Sequence, residues 1–79
     1  MAKFWKYQYG EDEIIVKNTL FSGCDLYVNG QMVDKSNGFY KGTLQGKLTN
    51  GEEIKASIGG SVTVKCTLFV DGKLLTPTE

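Results

Sequence analysis

Apolar and polar residues alternate with a period of two along most of this chain, and no stretch sustains a helical period. Successive side chains of a β-strand point to opposite faces, so alternation of this kind marks strands with one buried and one wet side. Over residues 40–49, Tyr40, Gly42, Leu44, Gly46 and Leu48 fall on one side, and Lys41, Thr43, Gln45, Lys47 and Thr49 on the other. Over residues 61–70, Val62, Val64, Cys66, Leu68 and Val70 point inward against Thr63, Lys65, Thr67 and Phe69. Ile54, Ala56 and Ile58 continue the pattern. Asn29-Gly30, Asn50-Gly51 and Asp71-Gly72 sit between such runs. Asx-Gly tolerates positive φ at both central positions, as a type I′ hairpin turn demands. Gly10-Glu11-Asp12, Ser36-Asn37-Gly38 and Gly59-Gly60 read as further loops, and Pro77 lies beyond the last strand. The spacing predicts about seven or eight short strands, near residues 3–9, 13–20, 24–28, 31–35, 39–48, 52–58, 61–70 and 73–76.

The chain also repeats itself. Cys24-Asp25-Leu26-Tyr27-Val28-Asn29-Gly30-Gln31-Met32-Val33 aligns with Cys66-Thr67-Leu68-Phe69-Val70-Asp71-Gly72-Lys73-Leu74-Leu75 in one register. Every pair is identical or chemically close except Asp25 with Thr67 and Gln31 with Lys73. Upstream, Gly10-Glu11-Asp12-Glu13-Ile14 resembles Gly51-Glu52-Glu53-Ile54 with a slip of one position. Two similar halves, about residues 1–37 and 38–79, imply an antiparallel β-sandwich in a single all-β domain, with a small β-barrel as the alternative. A chain of 79 residues has room for one thin core and no second domain.

Charge narrows the choice of partner. Nine lysines face nine acids, there is no arginine, and the lysines are spread singly. Nucleic-acid binding leans on clustered Lys and Arg, so no nucleic-acid partner is expected. The first residues lack the apolar run of a signal peptide, and no stretch approaches the length of a membrane-spanning helix. Two cysteines do not make a disulfide framework. The expected location is therefore cytoplasmic, with no membrane partner.

Catalytic equipment is scarce. Histidine is absent, and Cys24 and Cys66 lie far apart with no metal-ligand spacing around them. No phosphate-cradling glycine loop occurs, so no cofactor, no metal and no enzymatic activity are expected. Glu11-Asp12-Glu13 and Glu52-Glu53 are the carboxylate clusters, read as wet hairpin ends. Cys24 and Cys66 fall on the inward face and read as reduced core residues, the alternative being a redox-sensitive bond across the repeat axis. Tyr27 and Phe69 are repeat-equivalent and point away from Leu26/Val28 and Leu68/Val70. They are the candidate interaction patch, unless Trp5, Tyr7 and Tyr9 cover that second face.

Trp5 in an aromatic first strand, Ser22-Gly23, Leu26-Tyr27-Val28-Asn29-Gly30 and Leu68-Phe69-Val70-Asp71-Gly72-Lys73 together resemble the β-sandwich domain of the Fas apoptotic inhibitory molecule family. That resemblance implies an eight-stranded antiparallel sandwich of two similar halves without enzymatic activity. The residues themselves lead to a non-catalytic binding or protein-interaction module, self-associating or meeting a foreign protein through a sheet face or an unpaired edge strand. The alternative is a small-molecule or lipid carrier with its ligand held in the sandwich or barrel.

Overall fold

Each predicted run of alternation becomes a strand. The computed structural model describes residues 2–19, 23–36, 42–60 and 64–78, and among these lie eight strands and no helix. They are β1 (Ala2–Tyr9), β2 (Asp12–Thr19), β3 (Gly23–Val28), β4 (Gln31–Ser36), β5 (Gly42–Lys47), β6 (Glu53–Gly59), β7 (Lys65–Val70) and β8 (Lys73–Leu75). Their order is β1-β2-β3-β4 in one antiparallel sheet and β5-β6-β7-β8 in the other, so the fold is all-β with two sheets and not a closed barrel. Ser22, Tyr40, Val62, the Asn37-Gly38 part of one expected loop and the strand ends predicted at residues 20, 39–41 and 61–63 lie outside the described residues.

The inward faces meet in one core. Tyr7, Ile14 and Leu26 from the first sheet and Leu44, Ile54 and Leu68 from the second are wholly buried. Trp5, Tyr9, Val64, Cys66 and Leu75 pack around its margin. Register explains where the aromatic stripe goes: β1 sets Trp5 opposite Val16 and Tyr7 opposite Ile14, on the core side of the sheet. The stripe therefore builds the core and does not cover the outer face.

Two of the three Asx-Gly turns form as expected. Asn29 and Gly30 have φ of 52° and 84°, and Asp71 and Gly72 have 47° and 82°. Each Asx also reaches a third strand. Asn29 N donates to Glu13 O at 2.8 Å while its Oδ1 accepts from Glu13 N at 2.9 Å. Asp71 does the same with Glu53, at 2.8 and 2.9 Å. The side chain at each turn thus pins its hairpin to the neighbouring strand.

Asn50-Gly51 departs from the expected two-residue turn. Only Gly51 has positive φ, at 92°, and Leu48 N donates to Glu52 O at 2.9 Å around a three-residue loop. A type I turn closed by a left-handed glycine is the usual solution at that length. Asn50 favours it, because its Oδ1 accepts from Glu52 N at 2.9 Å.

The two sheets touch laterally where β4 passes β5. A bulge between Leu26 and Tyr27 on the β3–β4 ladder turns Val33 and Asp34 toward the second sheet. Asp34 Oδ2 accepts from Gln45 N at 2.8 Å, closing a donor on the edge of β5. Gly46 is small for a reason: a Cβ there would stand 2.8 Å from Val33 Cγ2. Gly46→Ala is expected to lower the urea-unfolding free energy by about 1–3 kcal/mol, as overpacking does. Adding Val33→Ala should restore most of that loss; a double variant no better than the single one would show that the clash is elsewhere.

Candidate functional site

The core consumes the inner faces, so the side chains left over stand on the outer ones. On the β1–β4 sheet, register sets Lys6, Ile15, Tyr27 and Met32 in one row across all four strands. The next row runs Phe4, Lys17, Asp25 and Lys35. Phe4 is 59% and Met32 53% exposed. Lys17 Nζ lies 5.8 Å from the centre of the Phe4 ring, and Lys6 pairs with Glu13 at 3.4 Å. Asp25 is 9% exposed, and its Oδ1 has no hydrogen-bond partner among the described residues.

The outer face of the second sheet has the corresponding row Gln45, Lys55, Phe69 and Leu74. Here the surface is concave. A shallow, open depression of about 750 Å³ is lined by Gln45, Lys47, Glu53, Lys55, Ser57 and Phe69, with Asp71 and Gly72 at one end.

Tyr27 and Phe69 both point away from the core and both are partly buried. They belong to different sheets stacked over one core, so they lie on opposite surfaces and form two patches, not one. The repeat placed them in phase, and phase alone does not say which side of the molecule a sheet presents.

Cys24 and Cys66 are thiols on the inner faces. Cys24 Sγ accepts from Asn18 Nδ2 at 3.1 Å, and Cys66 Sγ accepts from the Tyr7 hydroxyl at 3.4 Å. Burial pushes the Cys66 thiol above its ordinary range; the Tyr7 hydroxyl draws it partly back, and Cys24 pushes it up again. A thiol held protonated is a poor nucleophile. The Tyr7 phenol is raised too, first by burial and then by its bond to Cys66.

The acids do not behave as one wet cluster. Asp12 is only 7% exposed. Its Oδ1 accepts from Asn29 Nδ2 at 2.8 Å, and the Thr49 hydroxyl donates to its carboxylate at 3.0 Å. Thr49 belongs to the β5–β6 loop, so this bond latches one sheet to the other. The Tyr9 hydroxyl makes a second latch by donating to Glu52 at 3.0 Å, and that bond, then burial, raises the Tyr9 phenol. Nothing in the local pattern around Asp12 marks it for burial, since its partner lies 37 positions away. Among the described residues, no three Cys, Asp or Glu side chains gather as metal ligands would.

The chain matches no protein family, none of the curated proteins and no solved structure.

The Asn29 amide, opposed by burial and aided by the Thr49 hydroxyl, holds the Asp12 carboxyl below its usual range. A carboxyl lowered on folding stabilises the protein above its unfolded value, about 3.9, and that contribution disappears as pH falls through the folded value. Urea midpoints recorded from neutral pH downward should therefore fall less steeply below about pH 5 for Asp12→Asn than for the wild type. Parallel curves would remove the latch from the acid response.

Proposed function

We propose that this chain is a non-catalytic protein-interaction module whose contact surface is the outer face of the β1–β4 sheet, and that its partner is a second copy. The observation that carries the reading is the apolar band of Phe4, Ile15, Tyr27 and Met32, which crosses all four strands with two members more than half exposed. Apolar patches rimmed by charge are what subunit contacts are made of, and Met and Tyr suit them. Lysines 6, 17 and 35 alternate there with Glu13 and Asp25. A twofold contact brings such a face against itself, and because the face carries both signs it admits a register that sets lysines opposite carboxylates.

Several features support the rest of the reading. The raised Cys66 thiol and the lack of histidine speak against nucleophilic chemistry. Balanced charge without arginine favours a protein over a nucleic acid. Thiols in place of a disulfide fit the reducing cytoplasm, and among the described residues no helix is long and apolar enough to cross a membrane. The motifs shared with the Fas apoptotic inhibitory molecule family point to the same kind of non-enzymatic sandwich. Carriage of a ligand between the sheets would have to displace the wholly buried Tyr7, Leu26, Leu44 and Leu68, which favours the faces over the interior.

Light scattering tests this directly. The wild type should run as a dimer, and Tyr27→Ser should weaken association by about 2 kcal/mol, a typical value for a central aromatic, with an unchanged far-UV spectrum. A wild type that stays monomeric at millimolar concentration, or a dimer indifferent to Tyr27→Ser, would defeat the proposal.

A further inference from the structure

The depression on the other outer face is a different kind of surface. Phe69 lines it, with Lys55 as its direct cross-strand neighbour and Gln45 one strand further on. The small residues Ser57 and Gly72 line it too, and the Phe69 side chain is only partly buried. Its volume of about 750 Å³ falls within the range of roughly 300–1,000 Å³ usual for small-molecule sites.

Apart from Asp71, whose Oδ1 accepts from Glu53 N, the fold makes no use of the polar side chains around it. Among the described residues, no side-chain hydrogen bond or ion pair engages the side chains of Gln45, Lys47, Glu53, Lys55 or Ser57. Lys47 and Glu53 are opposite in charge and directly cross-strand, yet they do not pair, whereas Lys6 and Glu13 on the first sheet do. Gln45 and Glu53 enter the bonding of the fold through their backbone N–H groups, and their side-chain ends stay open to the depression.

We infer that this depression binds an uncharged, hydroxyl-rich ligand, a short neutral oligosaccharide, by stacking one sugar ring on Phe69 and hydrogen-bonding its hydroxyls to the flanking polar groups. Charge selects the class. Lys47 and Lys55 balance Glu53 and Asp71, so the site has no net preference for an anion or a cation. A phosphate or a nucleic-acid strand would meet two carboxylates beside the two lysines. A lipid chain would strip water from four charges and return nothing. A sugar hydroxyl donates and accepts at once, so neighbouring hydroxyls can donate to Glu53 or Asp71 while accepting from Lys55 or Lys47. The aromatic face carries the negative side of its quadrupole, to which the weakly positive C–H face of a pyranose is complementary.

The test is an amide-shift titration of the intact chain with maltohexaose, cellohexaose and N-acetylchitohexaose in turn, with hexathymidylate as an anionic counter-probe. At least one neutral hexasaccharide should produce saturable shifts at Gln45, Lys55 and Phe69. Phe69→Ala should weaken that binding by at least about 10-fold, while Tyr27→Ser on the opposite face leaves it unchanged. Lys55→Ala and Gln45→Ala, both at exposed positions, serve if Phe69→Ala fails to fold, and each should weaken binding several-fold. Absence of saturable shifts with all three sugars overturns the inference. So do shifts indifferent to Lys55→Ala and Gln45→Ala, or tighter binding of hexathymidylate at the same residues. Because the dimer proposal rests on the other face, either reading can fail while the other stands.

Discussion

Everything in this molecule depends on a single apolar layer shared by two sheets. A domain of this size buries only about 60% of the surface its unfolded chain exposes, so no strand can spend both sides on the core. The inner side of each central strand is committed instead: Ile14 and Leu26 in one sheet, Ile54 and Leu68 in the other, with Tyr7 and Leu44 from the first strand of each. Fully burying one such side chain contributes about 1.5–3 kcal/mol, and conformational entropy offsets most of the sum. The outer faces, where Tyr27 and Phe69 stand on opposite surfaces, are therefore what the core leaves over.

Polar contacts decide how the layer is closed. Asn29 and Asp71 each hold a hairpin to the strand beside it through the same pair of bonds to Glu13 and Glu53. Asp12 with Thr49, and Tyr9 with Glu52, tie the sheets together at the same end. Sheet edges receive similar treatment. Asp34 covers Gln45 N on β5, and Thr78 donates to Lys6 O on β1 at 2.7 Å. β8 is only three residues long. Edges shielded or shortened in this way offer little template for strand addition, which turns attention from the edges to the faces.

Much of this was legible in the residues, and the exceptions share a cause. Period-two alternation locates the strands because burial of one face is a local property of a strand. Asn29-Gly30 and Asp71-Gly72 announce their turns because positive φ is local as well. Asn50-Gly51 carries the same dipeptide but sits in a loop whose Thr49 is held by Asp12 from the other sheet, so a distant contact decides its form. Asp12 is buried for the same reason. Trp5, Tyr7 and Tyr9 show a clear stripe, yet only the β1–β2 register tells which face of the sheet it joins. Phe69 was legible as an outward aromatic, but the depression around it was not, since Gln45 and Lys55 come from two other strands and look like ordinary solvated positions in the sequence.

Inner faces make the fold and outer faces do not. Equilibrium urea unfolding of two neighbouring pairs, Leu26→Ala with Tyr27→Ser and Leu68→Ala with Phe69→Ser, measures that division on β3 and on β7. Each leucine variant should lose about 2–5 kcal/mol and each aromatic variant under about 1 kcal/mol, although the positions are adjacent in the chain. Aromatic variants as damaged as their leucine neighbours would mean that the outer faces belong to the fold, and would leave them no surplus for binding.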